Sequence, residues 1–287
     1  MDRYQIFTDA TADIDPNLLE GLPHLEILPM EIFIDEQPFS YGPDGDIDQH
    51  TFYELLNPSV DVKTTGINPD VYEKHFEASL KEGIDVLYIC FTSGLSSTYN
   101  TARLVKNNLK EKYPDRKIFC VDSLCASIGE GFLVLEVLRK QAEGYGFDEL
   151  AQWLETEKTI VGHWFTLDSF DYLVKGGRIS SAAAAIASTL QIKPLLSVDE
   201  QGKLFVAGKT RGGHSATAAI LKKLDINQKT EKSRRVLIGH GNCEEEALSL
   251  KEKVLAHHPD AEVDITSIGP VIGCHTGPSI LALVFWE

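Results

Sequence analysis

The sequence predicts an α/β protein of two domains, a doubly wound, mostly parallel sheet followed by a second α/β domain with a mixed sheet. In the first half of the 287 residues, apolar strand-like runs, polar loops and helical patterns alternate at least three times. This alternation is typical of parallel strands joined by crossover helices. Beyond about residue 160, two strand-like runs flank a short glycine turn, as in an antiparallel hairpin. We therefore expect domains at residues 1–159 and 160–287.

The elements of the first half follow from local signals. Residues 4–7, 86–90 and 117–121 are apolar strands, and residues 25–34 alternate as a β run. Pro16 favours the first turn of a helix, and helices are also expected near residues 51–56, 69–82, 103–109, 132–138 and 149–155. Four hydroxyl-rich loops, residues 8–13, 63–69, 90–102 and 122–131, precede helices. Because crossovers are right-handed, we expect these loops to converge at one edge of the sheet.

The second half has a different order of elements. Strands are expected at residues 160–167, 193–198, 204–211, 235–240, 261–265 and 280–286, and helices at 181–190, 215–224 and 244–257. The helix at 181–190 consists almost entirely of small side chains. Two interpretations of it stay open, namely close packing of a helix on a sheet and a helix beside a deep apolar slot.

The composition excludes several classes of partner. The chain has 43 acidic and 27 basic residues, so its net charge of −16 argues against nucleic acid or an anionic membrane surface as the main partner. The N-terminus lacks a signal-peptide pattern, and no apolar run could span a bilayer. We expect a cytoplasmic protein without integral membrane insertion, for which transient membrane contact stays open.

Metals and cofactors are not expected. The five cysteines are scattered and never spaced C-x-x-C, which argues against a zinc site or a disulfide framework. Asp44, Asp46 and Asp48 alternate as in a calcium loop, but Leu55 occupies the position of the required bidentate glutamate. Neither phosphate-binding glycine motif follows a strand.

The loop at residues 90–102 is the first candidate site. It turns from a buried strand into a helix and carries several hydroxyl side chains with almost no charge. Such helix N-termini favour carboxylate or phosphate groups, although an ordinary Ser/Thr helix cap explains the same residues. Residues 94–98 (GLSST) also come close to the nucleophile elbow G-x-S-x-G. An esterase that uses Ser96 and His275 is therefore an alternative, despite Thr98 in place of the second glycine.

The donors available to an anion come from both halves of the chain. Hydroxyls occur at Thr64, Thr65, Ser93 and Ser96, while the second half offers Arg178, Arg211 and His275. Charge-assisted hydrogen bonds from such groups suit a carboxylate. A different small anionic metabolite stays open as a ligand.

Six ordered segments resemble the motifs of the DegV family of bacterial proteins. Residues 8–13 (TDATAD) are similar to its TDSTAD, 63–65 (KTT) to KTS, and 92–99 (TSGLSSTY) to SSxLSGTY. Residues 121–123 (VDS) match VDS, while 172–180 (YLVKGGRIS) and 268–278 (IGPVIGCHTGP) resemble YLxKGGRIS and IGPVIGxHxGP. The resemblance covers nearly the whole chain.

This resemblance implies a carrier without catalytic turnover of its own. It would bind one long-chain fatty acid in a tunnel between its two domains, with the carboxylate on Thr64, Thr65, Ser93 and Ser96. The residues implied to support the head group are Arg178, Arg211, His275, Gly273 and Thr276. Some members of the family serve as the fatty-acid-binding subunit of bacterial fatty acid kinase, so a separate kinase subunit is the implied partner, with phospholipid synthesis downstream.

Overall fold

The computed structural model describes residues 3–181, 192–211, 213–227 and 234–287. The strands in chain order are β1 (Tyr4–Asp9), β2 (Leu25–Leu28), β3 (Met30–Ile34), β4 (Gln37–Tyr41), β5 (Val62–Thr64), β6 (Asp85–Cys90), β7 (Ile118–Asp122), β8 (Val161–Thr166), β9 (Ile192–Val198), β10 (Leu204–Arg211), β11 (Arg235–His240), β12 (Glu262–Ser267) and β13 (Leu281–Trp286). The α-helices are α1 (Gln49–Leu55), α2 (Pro69–Lys81), α3 (Thr98–Lys112), α4 (Ile128–Ala142), α5 (Phe147–Glu157), α6 (Asp171–Lys175), α7 (Gly213–Asn227), α8 (Glu244–His257) and α9 (Pro270–Thr276). The small-residue helix expected at 181–190 lies outside the described residues apart from Ser181.

The expected parallel sheet is confirmed in the first half of the chain. Its order is β2-β1-β6-β7, and every neighbouring pair is parallel. All six residues of β6 are buried, as expected for a parallel strand that is covered on both faces. The carboxyl ends of β1, β6 and β7 therefore bring three of the four hydroxyl-rich loops to one edge.

The fourth hydroxyl-rich loop comes from a separate sheet. Strand β5, which ends at Thr64, belongs to a three-stranded antiparallel sheet of order β4-β3-β5. The β run expected at residues 25–34 is interrupted at Pro29, between β2 and β3. Since proline lacks the backbone N–H that a ladder needs, the chain leaves the parallel sheet there and enters the small one.

The second half forms the expected mixed sheet. Among the described residues its order is β10-β9-β8-β13-β11-β12, in which β11 and β12 are parallel and the other pairs are antiparallel. The β9–β10 hairpin contacts β8 through a short ladder that pairs Trp164 with Ser197 and Phe165 with Leu196. The hairpin therefore forms one end of the sheet.

Helix α4 lies between the parallel sheet and the mixed sheet. Its residues 128–138 are all buried, and it contacts β6 on one side and β8, β11 and β13 on the other. Most of these buried residues are apolar, as a helix covered on both sides requires, although Glu130 and Glu136 are buried with them. The Phe132 ring packs edge-on against Trp286 at 5.2 Å between centroids. Both halves thus share one core, and the domain boundary after residue 159 stays a prediction.

Helix α9 was not expected from the sequence. It begins at Pro270, in the first helical turn where the missing N–H costs nothing. The glycines and the second proline of residues 268–278 favour a loop by local propensity, so tertiary packing decides this helix. Gly273 shows how close the packing is, because an added Cβ would lie 2.6 Å from the Phe52 ring.

Candidate functional site

A largely apolar cavity lies between helix α4, the mixed sheet and the loop that follows β6. It contains about 1000 Å³ of space that no atom occupies, part of it open to solvent. Its apolar lining includes Phe91, Leu95, Ile128, Phe165 and Val284. These side chains come from both halves of the chain, so the cavity depends on how the halves pack.

Strands β13 and β8 provide one long wall of this cavity. Ile280, Ala282 and Val284 all line it, as expected of alternate residues that point to one face of a strand. On β8, Phe165 pairs with Ala282 and His163 with Val284. The wall therefore runs along the strands, from the end of α9 towards His163.

The polar groups that line the cavity are concentrated near the N-terminus of α3 and the end of α9. The polar residues there are Thr64, Thr65, Ser96, Ser97, Arg178, His275 and Thr276. Thr64 Oγ1 lies 3.0 Å from His275 Nε2, and Arg178 Nε donates to the Leu95 carbonyl at 3.4 Å. We call this group the polar mouth. It contains hydroxyls and one permanent cation, the donors that a carboxylate requires.

His275 is a neutral residue of the polar mouth. Burial, assisted by the nearby Arg178 charge, lowers its pKa to about 4. Its Nδ1 atom is buried without a partner among the described groups. Because orphaned buried N–H donors are rare, we assign the ring proton to Nε2, which donates it to Thr64 Oγ1. The Thr64 hydroxyl proton is then free to donate to a ligand.

Ser96 lies at the same mouth, just before the N-cap of α3, and its side chain bonds to the first residue of that helix. Its Oγ lies 2.8 Å from Thr98 Oγ1 and accepts a hydrogen bond from the Thr98 amide at 3.2 Å. A serine hydrolase needs its serine bonded to a histidine, whereas His275 is paired with Thr64. The geometry of the described residues therefore lacks the Ser96–His275 pair of the esterase alternative.

The structure does not bring all the expected site residues together. Ser93 is exposed, and its amide donates to Asp122 Oδ1 at 3.0 Å, away from the cavity lining. Arg211 is exposed at the end of β10, also outside the lining. Gly273 packs on Phe52 and Tyr53, while Thr276 lines the cavity and donates to the Ile272 carbonyl at 3.1 Å. Ser93 and Arg211 are therefore not among the described lining residues that surround Thr64, and their expected roles at the head group stay predictions. A shared motif indicates proximity of a loop without indicating which of its side chains point inward.

Three buried carboxyl groups hydrogen-bond to residues that line the cavity. Asp9, Asp13 and Glu130 are all buried, and burial raises the pKa of each. Thr11, which lines the cavity, hydrogen-bonds to both Asp9 and Glu130. One hydroxyl proton cannot serve two carboxylates, so at least one of the two acids is protonated. Asp9 and Asp13 lie in a loop that the sequence already marked as polar, whereas Glu130 gave no local signal.

Asp13 connects the first loop of the chain with α4 and α9. Its carboxyl group accepts from Ser127 Oγ at 2.6 Å and from the Gly269 amide at 2.8 Å. Burial raises its pKa to about 8. Because α9 carries His275, the Asp13 contacts help to place the polar mouth relative to α4.

Other kinds of site are not seen in the described ranges. There, no group of three His, Cys, Asp or Glu side chains could hold a metal ion. Within the same ranges, every helix is too short or too polar to cross a bilayer. The cytoplasmic location stays a prediction.

The fold and the cavity together define an α/β protein with a largely apolar cavity and a hydroxyl-lined mouth. A family model described as "Uncharacterised protein, DegV family" matches residues 3–287. The chain belongs to the DegV family, as its six motifs indicated.

Known proteins of similar sequence and structure agree with this assignment. A DegV domain-containing protein of Clostridium perfringens is 35% identical over 285 residues, which cover 99% of this chain and 98% of the relative. A stearic acid-binding protein from Eubacterium ventriosum has a TM-score of 0.87 at 26% identity, covering 99% of this chain and 98% of the other. DegV of Bacillus subtilis, a fatty acid binding protein, has a TM-score of 0.86 at 26% identity over 100% of both chains.

Proposed function

We propose that this protein binds one long-chain fatty acid, with the acyl chain in the apolar cavity and the carboxylate at the polar mouth. The observation that carries the proposal is the distribution of polarity within one cavity. Phe165, Ala282 and Val284 line the long wall, while the hydroxyls of Thr64 and Ser96 and the Arg178 charge are grouped at the mouth. A fatty acid has the same distribution of polarity, and the similar proteins from Eubacterium ventriosum and Bacillus subtilis bind fatty acids.

The protonation states of the mouth support an anionic head group. Thr64 can donate its hydroxyl proton because His275 Nε2–H occupies the Thr64 oxygen. Arg178 contributes a guanidinium group, whose planar donors suit a carboxylate. A carboxylate therefore finds donors without a competing negative side chain, since the lining contains no aspartate or glutamate among the described residues.

The apolar wall supplies most of the affinity. Each methylene that moves from water into the cavity contributes about 0.8 kcal/mol, so sixteen would contribute ~13 kcal/mol before the cost of ordering the chain. A small polar anion would gain nothing from this wall. The cavity therefore favours a fatty acid over a phosphorylated metabolite.

Two measurements test the binding proposal. Denaturing extraction of purified protein followed by mass spectrometry should release close to one C14–C18 fatty acid per chain. Delipidated protein should then rebind such an acid, as measured by isothermal titration calorimetry. Protein that carries no lipid and also binds none of the added acids would refute the proposal.

We further propose that the bound carboxylate is presented to a separate ATP-dependent kinase. The family motifs support this partnership, and Thr65 and Gly66 beside the mouth are exposed, so a partner can approach the head group. ATP consumption by the kinase should require both the fatty acid and this protein. Activity of the kinase on free fatty acid, unchanged when this protein is added, would contradict the presentation step without contradicting lipid binding.

A further inference from the structure

A second cavity adjoins the apolar cavity at the end of its strand wall that reaches His163. The two cavities share His163, Trp164 and Val198 as lining residues. The second cavity differs in chemistry, because its lining includes the ionisable side chains of Lys158, Asp199, Glu200 and Glu287. The shared residues are thus a partition between an apolar and a polar space.

His163 is a rigid part of this partition. Its Nδ1 lies 2.9 Å from the Val161 carbonyl, so Nδ1 carries the proton, and Nε2 accepts from the Ala126 amide at 3.4 Å. Burial lowers its pKa to about 4, so the ring stays neutral. On one side the ring rests on Gly129, where an added Cβ would lie 1.8 Å from Nε2. Because both ring nitrogens are hydrogen-bonded and one side of the ring contacts the main chain at Gly129, the ring cannot rotate to make room for the terminal methyl group of a longer acyl chain.

We propose that His163, together with Val198, is the stop that limits the length of the acyl chain. This inference rests on the proposed fatty-acid function. Up to the stop, each added methylene enters apolar space and raises affinity by about fourfold. Beyond it, the terminal methyl meets the partition or the polar lining of the second cavity, so further methylenes add nothing.

The register of the strands places the stop at a depth that only a long acyl chain reaches. Ile280 and Val284 lie four residues apart on the cavity wall, which is about 14 Å along β13, and His163 is the partner of Val284. With carbon–carbon bonds near 1.5 Å and angles near 111°, an extended chain advances about 2.5 Å per two bonds, so roughly eleven bonds fit this stretch. The carboxylate lies before Ile280, towards His275, so only chains longer than about twelve carbons reach the stop.

The test compares the chain-length dependence of binding in four delipidated proteins. Saturated acids from C12 to C22 are titrated into wild type, His163→Ala, Val198→Ala and Val206→Ala. Val206 is the matched control, because it is half-buried on the same hairpin but lies outside the lining of both cavities. Far-UV circular dichroism and thermal melting establish that each protein is folded.

In wild type, affinity should rise by up to about fourfold per methylene and then stop rising at one length. In His163→Ala and Val198→Ala that length should increase by at least two carbons, and Val206→Ala should match wild type. An unchanged optimum in both partition variants would overturn the inference while leaving fatty-acid binding intact. If His163→Ala does not fold, Val198→Ala alone decides the matter. Failure of every acid to bind would overturn the proposed function and this inference together.

Discussion

Replacing Thr64 by valine removes a hydroxyl of the polar mouth whose oxygen is already paired with His275, while nearly preserving the shape of the side chain. The Thr64 oxygen accepts from His275 Nε2 across 3.0 Å, which leaves its own proton for the ligand. A hydrogen bond to a charged group contributes about 1.5–3 kcal/mol. We therefore expect the Kd for palmitic acid to rise by roughly 10- to 150-fold in Thr64→Val.

The matched control for this variant is Thr65→Val. Thr65 also lines the mouth, but it is exposed whereas Thr64 is half-buried. Water can therefore replace the Thr65 hydroxyl as a hydrogen-bond donor to the carboxylate. We expect less than about a fivefold loss there, or below ~1 kcal/mol. The assay is calorimetric titration of delipidated protein, with melting curves to show that both variants fold. Equal losses in the two variants, or a larger loss in Thr65→Val, would refute the reasoning about the His275 proton.

Three further predictions concern the surroundings of the site. Burial raises the pKa of Asp13 from an ordinary 3.8 to about 8 in the folded state. The protonated Asp13 therefore stabilises the fold fully below about pH 4, and the free energy of unfolding declines by up to ~1.4 kcal/mol per pH unit as the pH rises towards 8. Asp13→Asn should flatten this decline in urea unfolding at pH 5 to 8, and identical slopes would contradict the assignment. Gly129→Ala should lower the free energy of unfolding by about 1–3 kcal/mol, because the added Cβ would overlap His163. In the control Gly146→Ala the nearest atom to the added Cβ is 3.5 Å away, so the melting temperature should change little. Equal shifts in the two variants would argue against the close contact at Gly129. Ser96 bonds to Thr98 and not to His275, so wild type should give no burst with an activated ester, and a burst that Ser96→Ala abolishes would support the esterase instead.

Local sequence patterns were sufficient for most elements of the fold. The apolar runs that became β1, β6 and β7 are continuous or alternate over a few residues, and such periodicity needs no knowledge of distant contacts. The hairpin of β9 and β10 was predicted from its glycine turn. The six family motifs, together with the polar loops, also identified Thr64, Ser96 and His275 as candidates before any geometry was known.

The tertiary structure decided which candidates meet. Thr64 and His275 are 211 residues apart in the chain, and their contact depends on the packing of β5 against α9, which no local pattern encodes. Ser93 belongs to the same motif as Ser96, yet the turn directs it outward. Pro29 ends β2 because proline lacks the backbone N–H that a strand ladder needs, but only the fold shows that the chain then enters another sheet. The cavity and its partition exist only because two sheets pack on α4. The hydrophobic effect is non-directional, so an apolar sequence pattern predicts that a residue is buried without predicting which residues it will contact.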